Sequence, residues 1–260
     1  MHRQSAVAGV FYPADAESVK NFIKKHSVEN EKQQASAVLV PHAGYVYSGA
    51  TAVRTLSRIT IPNTVILAGP NHTGAGPMIS VYPAGSWHTP LGEVSMNEEL
   101  IEKLTEHELF SKDVRAHVNE HSLEVILPIL KYFNPDVKVV CITLKYLDIE
   151  DIKKAADHIS ECTDGLFVIS SDFNHFEDSE TTELKDKAAI DKLLKMDAEG
   201  LYSIVSDMRI SMCGVVPSCT GILYALSKGA DESVFIEHTH SGKVNGDNNK
   251  VVGYAGLYYK

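Results

Sequence analysis

Thr64-Val65-Ile66-Leu67-Ala68-Gly69-Pro70-Asn71-His72 is a short apolar run that breaks at Gly-Pro and delivers a histidine just past the break. An uninterrupted apolar run of this length, bounded by turn residues, predicts a strand buried on both faces, the kind a parallel sheet covered by helices requires. The same grammar recurs along the chain. Residues 35–40 run into Pro41-His42-Ala43-Gly44, residues 165–170 run into Ser171-Asp172-Phe173-Asn174-His175, and residues 137–144 supply a further apolar stretch. Between these runs, the pattern predicts helices over residues 15–25, 48–59, 97–107, 122–133, 149–162, 181–195 and 217–227, with Ser48 and Asn97 as N-caps and Pro217 near a first turn. Residues 234–239 and 251–258 add two late strands around a polar turn. Alternating strand and helix predict an α/β fold, a three-layer α/β/α sandwich with a mainly parallel central sheet. No internal repeat or Pro/Gly/Ser-rich linker interrupts the chain, so all 260 residues are expected to form a single domain.

Composition narrows the partners. A hydrophobic content of 44% with 22% charged residues is ordinary for a chain that buries a large core. The net charge of −10 repels phosphate backbones, which argues against nucleic acid. Met1-His2-Arg3-Gln4-Ser5 is not followed by an apolar segment of the secretory type, and no apolar stretch approaches the roughly 20 residues of a bilayer span. Cys141, Cys162, Cys213 and Cys219 form no CxxC pair, so neither a disulfide framework nor a zinc knuckle is expected, and a reducing cytoplasm fits.

In open α/β sheets the ligand crevice lies beyond the carboxyl ends of the strands, where the chain has placed His42, His72, Asp172 and His175. A neutral imidazole offers one nitrogen to a metal while a neighbour fixes the other, and Cys213, just ahead of the Pro217 helix, can add a thiolate whose pKa a helix N-terminus would lower. Taken singly, a strand-end histidine is more often a hydrogen-bonded structural group, and a lone cysteine a small buried hydrophobe. His121 in Asn119-Glu120-His121-Ser122-Leu123-Glu124 reads equally as part of a helix cap or as a site residue. His2, His26, His107, His117 and His158 read as solvated surface, and His238 and His240 as a loop at the sheet edge. Ser171, Asp172 and His175 are too close on one loop for a hydrolytic triad, and no GxSxG elbow is present. Asp172 is the more natural hydrogen-bond acceptor and His175 the more natural acid/base or fourth ligand.

Ala8-Gly9-Val10-Phe11-Tyr12-Pro13, Pro41-His42-Ala43-Gly44-Tyr45-Val46-Tyr47-Ser48-Gly49, Gly69-Pro70-Asn71-His72, Trp87-His88-Thr89-Pro90-Leu91-Gly92, Glu120-His121-Ser122-Leu123-Glu124, Ser170-Ser171-Asp172-Phe173-Asn174-His175 and Cys213-Gly214 together resemble the Memo family. In prokaryotes this family appears as AmmeMemoRadiSam system protein B. The resemblance implies a fold like the class III extradiol ring-cleaving dioxygenases, whose iron is held by two histidines and a glutamate. It further implies that His42, His72 and Cys213 are the metal ligands and that His175 matches the acid/base histidine. A thiolate in place of the carboxylate suits copper or zinc as well as Fe(II), and puts the dioxygenase reaction in question. The resemblance also implies iron or copper binding, redox regulation, and radical SAM and AMMECR-type partners. The expected function is therefore a metal-dependent redox or oxygen-using protein, with His175, Asp172 and His121 as catalytic candidates. The alternatives are a non-catalytic binding module, with Tyr45, Tyr47 and Trp87 as a recognition surface, and a zinc hydrolase.

Overall fold

Four apolar strands lie parallel at the centre of the sheet, in the spatial order Lys138–Leu144, Thr64–Pro70, Leu166–Ser170 and Ala37–Val40. The computed structural model describes residues 1–29 and 31–260. All residues of Ala37–Val40 and Leu166–Ser170 are buried, as strands covered on both faces must be. Antiparallel pairing is confined to the margins. On one side Gly92–Met96 joins in parallel and turns back as the hairpin partner of Ser86–Thr89, which carries the N-terminal strand His2–Arg3. On the other side Val251–Tyr259 pairs antiparallel with Ala37–Val40 and then with Ser233–His240 and the short His175–Glu177.

Helices Ala16–His26, Ala50–Leu56 and Leu127–Phe133 cover one face, and Glu98–Leu104, Ile149–Cys162, Ser179–Leu194, Ala198–Asp207 and Val215–Ser227 cover the other. Two glycines let the layers close. A side chain at Gly221 would collide with Ile169 beneath Val215–Ser227, and one at Gly256 would collide with Thr55 on the opposite face. The three-layer, mainly parallel α/β architecture expected from the sequence is the one observed. Among the described residues no helix is long and apolar enough to cross a membrane.

Several local expectations are corrected. Ser48 does not cap a helix: it lies in a single π-turn, Tyr45–Gly49, and its hydroxyl donates to the Ala43 carbonyl. Asn97 does cap, accepting the Leu100 amide at 3.2 Å. The helix expected over residues 122–133 begins only at Leu127, because Glu120, Ser122 and Glu124 are spent on contacts that hold their loop. Helix Ala198–Asp207 and the hairpin around Gly92 went unread in the sequence. His117 is wholly buried, with Nε2 3.2 Å from the Ser80 carbonyl and its ring against Tyr82 and Trp87. His158 is half-buried on Phe110 and bonded to the Leu104 carbonyl. His238 and His240 belong to strand Ser233–His240 rather than a loop, and His238 Nε2 lies 2.8 Å from the buried Asp186 carboxylate.

Candidate metal centre

The parallel strands all end at one edge, so the residues just beyond Val40, Pro70 and Ser170 are neighbours in space. His42 follows Val40, is 2% exposed, and is held twice. Its backbone N–H donates to Asp172 Oδ1 at 2.8 Å, and its Nδ1 lies 2.7 Å from Ser170 Oγ. The Ser170 hydroxyl spends its single proton on the Ser122 carbonyl at 2.6 Å, so toward His42 it can only accept. Nδ1 therefore carries the proton, and Nε2 faces the site as a bare lone pair.

His72 is fixed by the same logic with a different partner. Glu120 Oε1 lies 2.8 Å from His72 Nδ1, while Oε2 accepts the His72 backbone amide at 2.6 Å. A carboxylate only accepts, so His72 Nε2 is left unprotonated as well. Glu120 is fully buried; burial alone would raise its pKa, yet the hydrogen bond and charge of His72 and the Ser122 amide hold it down to about 2. His121 stacks on His72 with centroids 4.9 Å apart and planes 10° apart, and meets the edge of His42 at 5.6 Å.

Cys213 completes the group from the loop before Val215–Ser227, its sulfur 3.3 Å from His42 Nε2. Donor atoms of His42, His72 and Cys213 all lie within 4.8 Å of one another. Ligands around one tetrahedral ion sit about 3.3–3.7 Å apart, so small side-chain rotations close the triangle. Contrary to the expected lowering by a helix terminus, burial pushes the Cys213 thiol well up, and burial pushes the His42 imidazole well down. Both shifts follow from desolvation, which disfavours the charged form of each group.

His175 faces the same space from the strand pairing with Val251–Tyr259, where the register shifts at Phe176, whose φ is 62°. This bulge turns His175 inward and leaves Phe176 71% exposed. The His175 amide donates to Ser211 Oγ at 2.7 Å and Nδ1 to the Ser211 carbonyl at 2.8 Å, so a third imidazole presents a bare Nε2. Asp172 is buried; desolvation raises its carboxyl pKa against the pull of the His42 amide, and Oδ2 lies 3.9 Å from His42 Nε2. Its amide donates to Cys213 Sγ at 3.3 Å. All six candidate residues from the sequence thus meet at one edge of the sheet.

A family profile for Memo-like proteins matches residues 3–258. The chain belongs to the Memo family. A MEMO1 family protein of Aquifex aeolicus is 40% identical across 99% of this chain and 98% of its own length. Another from Ignicoccus hospitalis is 38% identical over 99% and 98%, and one from Methanopyrus kandleri 33% over 100% and 99%.

In this Memo chain the residues that sequence reading missed are those that aim the donors: Ser170, Glu120 and Ser211. Only Glu120 carried a signal, as an acidic residue beside an apolar run, and it reads there as part of a helix cap. Beneath it lies an unforeseen lock. Arg3 Nη1 is 2.6 Å from Glu124 Oε2, its Nη2 donates to the Glu120 carbonyl at 2.9 Å, and its guanidinium lies 4.0 Å over Trp87. Glu124 also accepts the amides of Ala6 and Val7 and the Tyr12 hydroxyl. The expected aromatic recognition surface is not formed: Trp87 and Tyr45 are buried, and only Tyr47 is exposed.

Proposed function

We propose that His42, His72 and Cys213 hold one transition-metal ion, Fe(II) or copper with zinc also compatible, and that the protein works as a metal-dependent redox or oxygen-using member of its family. One observation carries this reading: the His42 and His72 rings have their Nδ1 atoms tied down and their Nε2 atoms bare, with the Cys213 sulfur 3.3 Å from His42 Nε2, and the nearby His175 ring has its Nδ1 tied down in the same way. Such an ion would supply an electron or a Lewis-acidic position open to a small ligand. The protein's own residues do the rest. Ser170 and Glu120 fix the two rings, and the Asp172 amide steadies the sulfur. His175 Nε2 accepts or returns a proton while Ser211 holds the ring still, and Asp172 and His121 border the space in which that proton moves. The absence of disulfides among the described residues fits a reducing cytoplasm, and the family resemblance suggests radical SAM and AMMECR-type partners.

Metal analysis of the protein purified from its native source tests the reading. We expect about one ion per chain, lost in Cys213→Ser and in His72→Ala; unchanged content in both variants rejects it. Dioxygen uptake by the Fe(II)-loaded protein with a panel of aromatic diols, abolished by His175→Ala, supports an enzyme. A second reading, a binding module around the same pocket, is favoured by the strained, exposed Phe176 beside His175, and gains if partner capture occurs without turnover.

A further inference from the structure

Next to the candidate centre the sheet edge opens into a cavity of about 320 Å³, with His72 and Cys213 in its wall. We propose that this cavity is a binding lobe for a small carboxylate with a compact apolar body, aromatic or branched. Its volume is at the small end for ligand pockets, enough for a single ring and not for a nucleotide or a peptide. Leu144, Met212, Val215 and Val216 form apolar walls that reward a hydrocarbon body and give no coordination to a bare inorganic anion.

The charge comes from Lys145, directly after strand Lys138–Leu144, and it is the one ionised residue besides the donors on the cavity wall. Its ammonium donates to the Gly76 carbonyl at 2.6 Å, and no carboxylate pairs with it among the described residues. An ammonium has three donors, so the Gly76 contact steadies the group and leaves the others for an anion. A single point charge suits a monoanion; phosphate recognition favours several donors or a planar guanidinium. The carboxylate then lies at Lys145, the body fills the apolar walls, and the far end faces His72 and Cys213. Only that last contact rests on the metal reading.

Calorimetric titration of the metal-free and the zinc-loaded protein with benzoate, benzamide and inorganic phosphate tests the proposal. We expect benzoate to bind both forms, benzamide to bind at least about ten-fold more weakly, and phosphate not to compete. Lys145→Gln should erase the preference for benzoate over benzamide, and Val215→Trp, which fills the cavity, should remove binding of both. Equal binding of benzoate and benzamide, an unchanged preference in Lys145→Gln, or displacement of benzoate by phosphate overturns the proposal. The two readings separate in His42→Ala, which does not line the cavity: benzoate binding persists there while zinc is lost. A wild type that binds benzoate but takes up none of Fe(II), copper or zinc rejects the metal reading alone, and one that takes up metal but ignores benzoate rejects the lobe alone.

Discussion

Two groups of residues of metal-ligating type share His72. In the first, with His42 and Cys213, the nitrogen lone pairs point into shared space because serine and glutamate partners occupy the opposite side of each ring. In the second, with Glu120 and His121, the three residues are as close together, yet the carboxylate is already saturated by the His72 ring, the His72 amide and the Ser122 amide. Proximity of ligand types is common to both groups. What separates a candidate centre from a clamp is whether the lone pairs remain unspent, and the clamp is what leaves them unspent in the centre.

The largest expected break comes from below the clamp. Arg3→Met strands the buried Glu124 carboxylate, and we expect a loss of about 3–5 kcal/mol in chemical denaturation. If the surviving folded protein keeps its metal affinity, the lock supports the fold without tuning the centre.

A pH profile sharpens the contrast between a buried histidine and a site histidine. Burial lowers the His117 pKa to about 4, so the folded state stays neutral there while the unfolded chain protonates below about 6.5. Its contribution is present above pH 6.5 and is lost as pH falls toward 4, for a total of roughly 3 kcal/mol. Stability measured across this window should fall less steeply in His117→Gln than in the wild type.

Glu120→Gln addresses the clamp itself. It keeps the shape but removes the charge that fixes His72 Nδ1–H, and metal affinity measured by chelator competition should drop about 10- to 100-fold. The smallest effect is assigned to His121→Gln, which should leave metal affinity within about two-fold if the ring only borders the site. A loss as large as that in His72→Ala would make His121 a ligand and erase the distinction between the groups.

The four central strands were legible because a strand buried on both faces must be continuously apolar, and the Gly-Pro and Pro-His breaks mark its end. Hairpin Ser86–Thr89 to Gly92–Met96 was not legible, since its two strands are only four and five residues long and carry few apolar positions, Trp87, Val94 and Met96. His117 shows the other failure. Its segment, Arg115-Ala116-His117-Val118-Asn119, mixes polar and apolar residues with no strand or helix period, and only the arrival of Trp87, Tyr82 and Arg3 from far along the chain buries it.

By itself the sequence determined the sheet, the carboxyl edge and the residue types delivered there, because periodicity and chain breaks are local properties read by sterics and solvent. The tertiary structure alone decided which nitrogen of each imidazole stays bare. That choice belongs to Ser170, Glu120 and Ser211, which lie 128, 48 and 36 residues away along the chain from the rings they hold. A proton goes where a partner accepts it, and partners so distant in sequence become neighbours only when the chain has folded.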